Sequence, residues 1–411
     1  MKHWLLSVLL VVCGTVSAQI TLVKDGKSSA RIIVQDKMPN SKTSAQFLQR
    51  FLTEISGVAL PIENDKTPRK GDILIGGQSS AEVTEDGFSI STQDGILKIS
   101  GKENGVVYGV VTLLEQYLGI NYWGENEYSL TPSKTVNLPF INKVENPGFR
   151  YRQTQCYAIH TDSIYKWWNR LEEPNEVFAA GYWVHTFDKL LPSSIYGKEH
   201  PEYYSYFKGK RHPGKASQWC LSNPEVFEIV AQRVDSIFKA NPDKHIMSVS
   251  QNDGNYTNCT CDACKAIDDY EGALSGSIIT FLNKLAARFP DKEFSTLAYL
   301  YTMNPPKHVK PLPNVNIMLC DIDCDREVTL TENASGKEFV KAMEGWSKIT
   351  NNIFVWDYGI NFDNYLAPFP NFHILQDNIR LFEKNHATMH FSQIAGSRGG
   401  AVSYTHLTLP T

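Results

Sequence analysis

Residues 246–254, IMSVSQNDG, show the pattern that decides the fold: a short apolar run that ends in polar side chains and a glycine. Similar runs recur along the second part of the chain, and amphipathic helices follow several of them. A strand that is buried on both faces of a parallel sheet produces such a continuous apolar run. We count eight runs, at residues 150–156, 181–185, 218–221, 246–250, 294–301, 315–320, 353–357 and 388–393.

The intervening segments complete the prediction of a barrel. Helical spacing of apolar residues is clearest at 225–239, 276–288, 337–348 and 372–384. Eight strands with intervening helices predict a (β/α)8 TIM-like barrel over residues 147–400, truncated near the eighth strand because its closing helix would follow the last run. A doubly wound open sheet is the alternative, but the glycine-rich phosphate loop that such a fold requires after its first strand is missing.

A smaller α+β domain is predicted over residues 20–140. Short apolar strands at 30–34 and 72–75 alternate with helical spacing at 43–55 and 105–118. Between them, two alternating runs flank Asp94-Gly95, a pair typical of a hairpin turn. The chain is therefore expected to fold as an α/β protein of two domains.

The two ends of the chain carry signals of another kind. A basic start, an apolar run and the small residues Val16-Ser17-Ala18 predict a signal peptide over residues 1–18. The expected location is periplasmic, cell-surface or secreted in a bacterium, without an integral membrane segment after cleavage. Cys13 offers a lipoprotein as the alternative, although Val11-Val12 is a poor match to a lipobox. Residues 402–411, VSYTHLTLPT, are typical of a translated sequencing adapter.

Composition narrows the possible partners. The chain has 411 residues, of which 42% are hydrophobic, and a net charge of −4. So small a charge indicates no nucleic-acid partner. No cofactor is expected.

The most informative strand end is Asn252-Asp253, which follows the run 246–250. Active sites of TIM barrels lie at the carboxyl ends of the strands. A carboxyl group beside an amide suits a glycosidase, because the acid protonates the glycosidic oxygen while the amide holds a substituent of the sugar. The alternative is that Asn-Asp-Gly is only a turn.

A second carboxylate follows the run 353–357. Asp357 lies between Trp356 and Tyr358. We expect Asp357 to face Asp253 across the barrel mouth as a nucleophile or orienting group, with the two rings stacking on sugar. In the alternative, Asp357 caps a loop between aromatic residues of the core.

Other strand ends supply candidate substrate-binding residues. The aspartates after the sixth run are candidates unless Arg326 merely neutralises them, and a lone histidine is more often structural. The candidates are Gln155, His160, His185, Tyr301, Asp321 and Asp323.

Three cysteines follow Asp253 closely. Cys259, Cys261 and Cys264 could bind zinc with a fourth group, or form a disulfide that fixes the loop. Expected export favours the disulfide, and the lack of a second ligand pair disfavours zinc. At least two of these thiols are therefore expected to resist alkylation until reduced.

Two sets of motifs resemble known families. The stretch 105–119, GVVYGVVTLLEQYLG, with Tyr122-Trp123 resembles the end of the non-catalytic α/β domain that precedes the barrel in β-hexosaminidases and α-glucuronidases. Further motifs resemble a bacterial barrel family long described as of unknown function. They are His185-Thr-Phe, His200-Pro-Glu-Tyr-Tyr, Asn252-Asp-Gly with the cysteines, 319–325 and 361–370.

The second resemblance implies an activity. Some members of that family are endo-β-N-acetylglucosaminidases acting on complex N-glycans, so a glycan or glycoprotein substrate and a retaining mechanism are expected. The family pattern Phe-Glu-Gln is replaced here by Phe391-Ser392-Gln393. That departure puts activity in doubt, and a decayed glycan-binding protein is one alternative. An α-glucuronidase-like exo-glycosidase, with Arg211 or Arg398 binding the uronic carboxylate, is another.

Overall fold

A computed structural model describes residues 20–36, 39–156, 158–364 and 369–394. The predicted signal peptide, the adapter-like tail and Arg398 lie outside the described residues. The chain divides into two compact units: the first holds the chain up to Tyr122 together with Glu127–Pro147, and the second holds Trp123–Asn126 and the chain from Gly148. No helix in the described ranges is both long and apolar enough to cross a membrane.

The first unit is built on short strands and two helices. The helices are α1 (Pro39–Ser56) and α2 (Gly105–Thr112), and a π-helical turn at Leu113–Tyr117 continues α2. The strands up to the end of this unit are β1 (Ile20–Val23), β2 (Ile32–Val34), β3 (Ile62–Asn64), β4 (Ile73–Ile75), β5 (Phe88–Ser91), β6 (Leu97–Gly101), β7 (Asn121–Gly124), β8 (Glu127–Ser129), β9 (Val136–Leu138) and β10 (Asn142–Glu145).

Six of these strands form a mixed sheet in the order β10-β5-β6-β4-β2-β3. The predicted hairpin is present as β5 and β6, whose turn places Asp94 and Gly95 at φ 55° and 72°. Gly105 begins α2 so close to the hairpin that a Cβ atom would lie 2.0 Å from the carbonyl oxygen of Gly87. Only glycine fits there.

The second unit contains a parallel sheet with helices around it. Its strands are β11 (Tyr151–Thr154), β12 (Tyr206–Phe207), β13 (Lys210–Arg211), β14 (Ile246–Ser248), β15 (Glu293–Ala298), β16 (Val315–Cys320), β17 (Ile353–Tyr358) and β18 (Ala387–Gln393). Its helices are α3 (Ala158–Thr161), α4 (Ser163–Trp168), α5 (Pro174–Val177), α6 (Phe187–Leu190), α7 (Ser193–Tyr196), α8 (Pro224–Ala240), α9 (Asp262–Glu271), α10 (Gly276–Arg288), α11 (Gly336–Ser347) and α12 (Phe372–Lys384). The four helices expected from sequence correspond to α8, α10, α11 and α12.

The sheet is a curled, half-barrel arrangement in the order β11-β18-β17-β16-β15-β14, with every pair parallel. Six of the eight expected strands are therefore present, and the last one pairs with the first as in a barrel. The full (β/α)8 layout is not confirmed in the described residues.

The two missing strands have different causes. The run 181–185 is not a strand because Ala180, Gly181 and His185 adopt φ values of 48°, 68° and 50°, which break an extended backbone. Just before this segment in the chain, Phe178 forms a parallel bridge to Ile246 of β14. The run 218–221 is also wrong as a barrel strand, since Trp219 bridges Tyr204 in the antiparallel direction.

The sheet has two apolar faces. Inside the curl lie Tyr151, Phe354, Trp356, Tyr358 and Phe391 among others. The alternate residues of the same strands, such as Ile353 and Val355, pack against the helices. This alternation decides which polar side chains can reach the interior of the sheet.

One buried histidine in the helix-facing layer makes stability depend on pH. The ring of His390 lies 5.6 Å from that of Phe149 and 5.9 Å from that of Phe382. Burial lowers the pKa of His390 from its ordinary 6.5 to about 4, with Asp357 opposing the shift. Between these pH values the unfolded chain binds a proton that the folded chain does not, so stability is complete above pH 6.5 and falls toward pH 4.

We expect this residue to account for about 3 kcal/mol of the stability lost between pH 7 and 4. His390→Phe should flatten this part of the curve when urea unfolding is measured at intervals across the range. His308→Phe, at an exposed position, is the control. Equal slopes in the wild type and the His390 variant would contradict the prediction.

Candidate active site

Five rings surround the carboxyl ends of β15 and β17, and we call this group the aromatic mouth: Trp183, His185, Tyr299, Trp356 and Tyr358. The Trp356 ring lies 5.7 Å from the Trp183 ring, 6.1 Å from the His185 ring and 5.6 Å from the Tyr358 ring, onto which it stacks. The rings of His185 and Tyr299 are 6.4 Å apart. Such a set of rings forms one apolar cluster, of which Trp356 and Tyr358 are 9% and 5% exposed.

Three residues of the mouth carry polar groups, and these differ in whether they are already paired. The indole N–H of Trp183 is buried and has no hydrogen-bond partner within the described residues. Trp356, in contrast, donates its indole N–H to Oε1 of Gln393 at 3.1 Å. His185 is held by a 2.9 Å contact between Nδ1 and the carbonyl oxygen of Gln251. The mouth therefore combines fixed rings with one unpaired donor.

Asp253 is an exposed carboxylate near this mouth. Burial, and then the negative charge of Asp253, raise the pKa of Tyr299 to about 12, so the carboxylate lies close enough to act on the phenol. Because the phenol stays protonated over the physiological range, its hydroxyl is a potential hydrogen-bond donor beside the carboxylate. The structure thus presents Asp253 to solvent beside the hydroxyl group of Tyr299.

A second exposed carboxylate, Asp323, lies near the same phenol. Its charge also contributes to the raised pKa of Tyr299. Asp323 follows β16 in the loop to α11, so the two carboxylates come from separate strand ends. Asp253 and Asp323 are therefore the acids that the structure brings together at the mouth.

The side chain of Asn252 is occupied by the protein itself. Its Oδ1 accepts from the backbone N–H of Asp188 at 3.0 Å, and its Nδ2 donates to the carbonyl oxygen of Ser217 at 2.7 Å. Its backbone N–H and C=O both bond the side chain of Gln218 at 2.9 Å. Asn252 therefore fixes the loop that presents Asp253, with both the oxygen and the nitrogen of its amide bonded to the protein.

The expected position of Asp357 is wrong. Trp356 and Tyr358 face the interior of the curled sheet, so Asp357 between them faces the helices. There it is 5% exposed, and its Oδ1 lies 3.5 Å from the Arg326 guanidinium. Asp357 does not face Asp253 across the mouth.

Arg326 neutralises a buried pair of carboxyl groups. It contacts Oδ1 of Asp321 at 2.6 Å and donates Nε to the carbonyl oxygen of Tyr358 at 2.9 Å. Burial raises the pKa of Asp321 well above its usual range, with Arg326 opposing and the nearby Asp357 adding to the shift. Asp321 is therefore part of a structural ion pair, as the alternative interpretation of Arg326 proposed.

The remaining candidates occupy varied places. Gln155 is half-buried directly after β11. His160 is exposed and lies 2.7 Å from a carboxylate oxygen of Glu173. Tyr301 lines a small cavity together with Cys259 and Cys264. None of the contacts described for Gln155, His160 and Tyr301 is with the aromatic mouth.

The cysteine cluster has a fourth member that the spacing did not reveal. Cys220 joins Cys259, Cys261 and Cys264, and the four sulfur atoms lie within 4.8 Å of one another. The sulfurs of Cys220 and Cys261 are 3.6 Å apart, whereas a disulfide holds them at about 2.05 Å. The seven described cysteines are all unpaired.

Comparison with known proteins identifies the family. A domain of unknown function, DUF4838, matches residues 122–406. The chain belongs to the DUF4838 family. No curated protein matches it.

Several solved structures are similar to this DUF4838 chain. The β-N-acetylhexosaminidase of Bacteroides fragilis NCTC 9343 is 9% identical, with 85% of this chain and 76% of that chain covered and a TM-score of 0.43. The GH20 β-N-acetylhexosaminidase of Streptomyces coelicolor A3(2) is 8% identical, with 93% and 85% covered and a TM-score of 0.48. The N-acetyl-β-hexosaminidase of Streptomyces plicatus is 10% identical, with 93% of this chain and 83% of that chain covered and a TM-score of 0.49.

In this DUF4838 chain, Ser392 stands where the family pattern has a glutamate, and it lies outside the aromatic mouth. Ser392 pairs in register with Asp357 on β17, and it is 2% exposed. Its neighbours Phe391 and Gln393 face the interior, so Ser392 faces the helices. A glutamate at this position would adjoin the buried ion pair of Arg326, so the serine removes no carboxylate from the aromatic mouth.

Sequence reasoning missed three residues of the site. Tyr299 follows the inward Leu297 by two residues, so the two-residue period of a strand could have identified it. Trp183 lies in a segment expected to be a strand, and its orientation depends on the left-handed residues around it. Cys220 is far from the other cysteines in sequence and carried no signal of its own.

Proposed function

We propose that this protein is a retaining glycoside hydrolase acting on an N-acetylglucosamine-containing glycan, with Asp253 as its general acid. The observation that carries the proposal is an exposed carboxylate, close enough to Tyr299 to raise its pKa, at the edge of a mouth lined with aromatic rings. Sugar rings stack on aromatic faces through their C–H groups, and glycosidic bonds are broken by carboxylic acids.

The aromatic mouth would bind and orient the sugar. The stacked Trp356 and Tyr358 form a largely buried apolar wall, while Trp183 supplies an unpaired N–H beside it. A hydroxyl or acetamide oxygen of the substrate would accept that N–H. Binding then satisfies a donor that otherwise stays buried without a partner, which favours a polar ligand over a purely apolar one.

Asp253 would carry both proton transfers. In the first step it gives its proton to the glycosidic oxygen as the bond to C1 breaks. In the second step the resulting carboxylate removes a proton from the water that attacks C1. Tyr299 keeps its hydroxyl proton in both steps, because its pKa is about 12. Its role is to fix the direction of the carboxyl group.

The nucleophile we propose is the acetamido oxygen of the substrate itself. Asp357, the first candidate, faces the helices and contacts Arg326. Asn252, the candidate for orienting the acetamide, is bonded to Asp188 and Ser217. Asp323 would take the orienting role, since a carboxylate near Tyr299 can accept the acetamide N–H. Direct attack by Asp323 would require the two carboxyl groups to be about 5–5.5 Å apart.

An endo-β-N-acetylglucosaminidase acting on complex N-glycans is the specific activity we propose, on the resemblance of the sequence motifs. The α-glucuronidase-like alternative needs Arg211 or Arg398 to bind the uronic carboxylate. The Arg211 guanidinium instead donates to the carbonyl oxygen of Tyr204 and to the sulfur of Cys259. Arg398 lies outside the described residues. The glycan-binding alternative differs from the proposal only in turnover.

A release assay with the full natural protein tests the proposal. N-glycoproteins and matched aryl β-glycosides bearing either a 2-acetamido or a 2-hydroxyl group would be incubated with enzyme, and products followed by mass spectrometry. We expect release of glycans and cleavage of only the acetamido glycoside, with the β-anomer appearing first by NMR. Binding of the same glycans without release would identify a binding protein. Equal cleavage of both aryl glycosides would contradict acetamido participation.

A further inference from the structure

We propose that Cys220, Cys259, Cys261 and Cys264 bind one structural zinc ion as four thiolates. The sulfur of Cys220 lies 3.6 Å from that of Cys261 and 4.0 Å from that of Cys264. Four sulfurs at about 2.3 Å from a tetrahedral zinc ion would be about 3.8 Å from one another. The observed separations match that tetrahedron, and a disulfide would need half this distance.

The surroundings of the sulfurs suit negative charge. The backbone N–H of Tyr206 donates to Sγ of Cys259 at 3.3 Å, and the Arg211 guanidinium donates to the same sulfur at 3.5 Å. The hydroxyl oxygen of Ser222 lies 3.1 Å from Sγ of Cys264. A tetrathiolate zinc site carries a net charge of −2, and N–H donors and a nearby cation stabilise such a site.

The position of the cysteines in the fold also supports a structural zinc site. Cys261 is the N-cap residue of α9, and Cys264 lies in the first turn of that helix. Thiolates are stabilised at a helix N-terminus. Cys220, Cys259 and Cys264 are 3%, 5% and 1% exposed. With four protein ligands and little exposure, the ion would have no open coordination position, which is typical of structural rather than catalytic zinc.

The metal would hold together the segment and loop that present Asp253. Gln218, two residues before Cys220, bonds both backbone groups of Asn252. Cys259 follows Asp253 in the same loop, and the backbone N–H of Thr260 bonds the carbonyl oxygen of Tyr206. One zinc ion would therefore connect the segment around Cys220, the loop of residues 252–261 and the first turn of α9. Its effect on activity rests on the proposed function, but its presence does not.

Metal analysis of the full natural protein tests the site directly. After dialysis against metal-free buffer, we expect one zinc ion per chain by plasma mass spectrometry. A mercurial reagent should release it, as followed with a colorimetric zinc indicator. Alkylation in denaturant and chelator without reductant should label all four cysteines. Less than about half a zinc ion per chain, iron in place of zinc, or a disulfide between any two of the four would overturn the proposal.

Two substitutions separate the site from the other buried thiols. Cys220→Ser should lose the zinc and lower the melting temperature by about 10 °C, because binding free energy contributes to folding. Cys156→Ala removes a buried thiol outside the cluster and should keep the full metal content. Should Cys220→Ser fail to fold, the zinc content and thiol labelling of the wild type still decide the question. Zinc retained at full stoichiometry in a folded Cys220→Ser protein would overturn the assignment of Cys220.

Discussion

Replacing Asp253 with asparagine should lower kcat for glycan release by about 100- to 10,000-fold, which is the usual contribution of a general acid. The amide cannot donate a proton to the leaving oxygen, yet it is nearly the same size as the carboxyl group. Asp253 is exposed, so the fold should persist. Steady-state kinetics with circular dichroism would measure both quantities.

Two further substitutions make the result specific. Asp291→Asn changes an exposed carboxylate just before β15, at the opposite edge of the sheet, and should leave kcat unchanged. Asp323→Asn should lower kcat less than Asp253→Asn if Asp323 only orients the acetamide. It should lower kcat at least as much if Asp323 is the nucleophile. Near-normal turnover by folded Asp253→Asn protein would remove Asp253 from the mechanism.

The largest effect on stability should come from Arg326→Met. This substitution leaves Asp321 and Asp357 buried without their cation, and removing one partner of a buried ion pair costs about 3–5 kcal/mol. For a unit of this size the melting temperature should fall by roughly 6–20 °C. The lost bonds to backbone oxygens, including that of Tyr358, add to the cost. Urea unfolding monitored by circular dichroism would measure it.

A surface arginine provides the control. Arg380 pairs with Asp377 at 3.5 Å, and both side chains are largely exposed. Arg380→Met should therefore change stability by less than about 1 kcal/mol. Adding Asp321→Asn and Asp357→Asn to Arg326→Met should recover part of the loss, since the uncompensated charges are then gone. A cost near that of the surface control would show that the buried pair is not stabilised by Arg326.

Much of the fold could be predicted from the sequence because burial and period are local signals. Six apolar runs became strands, and four helical patterns became α8, α10, α11 and α12. Residues 181–185 and 218–221 failed for different reasons. The first run is broken by the left-handed backbone conformations of Ala180, Gly181 and His185. In the second run, Trp219 pairs with Tyr204, which is distant in sequence, instead of with a barrel strand. Neither cause is visible in an apolar run.

The candidate site was predicted in part. His185, Asp253, Asp323, Trp356 and Tyr358 lie at or near the mouth, although the run that ends at His185 is not a strand. The error at Asp357 was avoidable in principle, because three consecutive strand residues cannot all face one side. The cysteines show the opposite case. Only the folded chain brings Cys220 to the others, so the sequence favoured a disulfide over a metal site.

The pairing of β11 with β18 has a consequence for synthesis of the chain. In the part of the chain that the structure describes, β11 pairs only with β18, with Tyr151 opposite Met389. At about 5–20 residues per second, a ribosome needs roughly 12 to 48 seconds to make the intervening stretch. Throughout that interval β11, whose sequence is Tyr-Arg-Gln-Thr, has been made but its partner strand has not. The backbone N–H and C=O groups of β11 therefore have no ladder partner in the nascent chain until β18 is available.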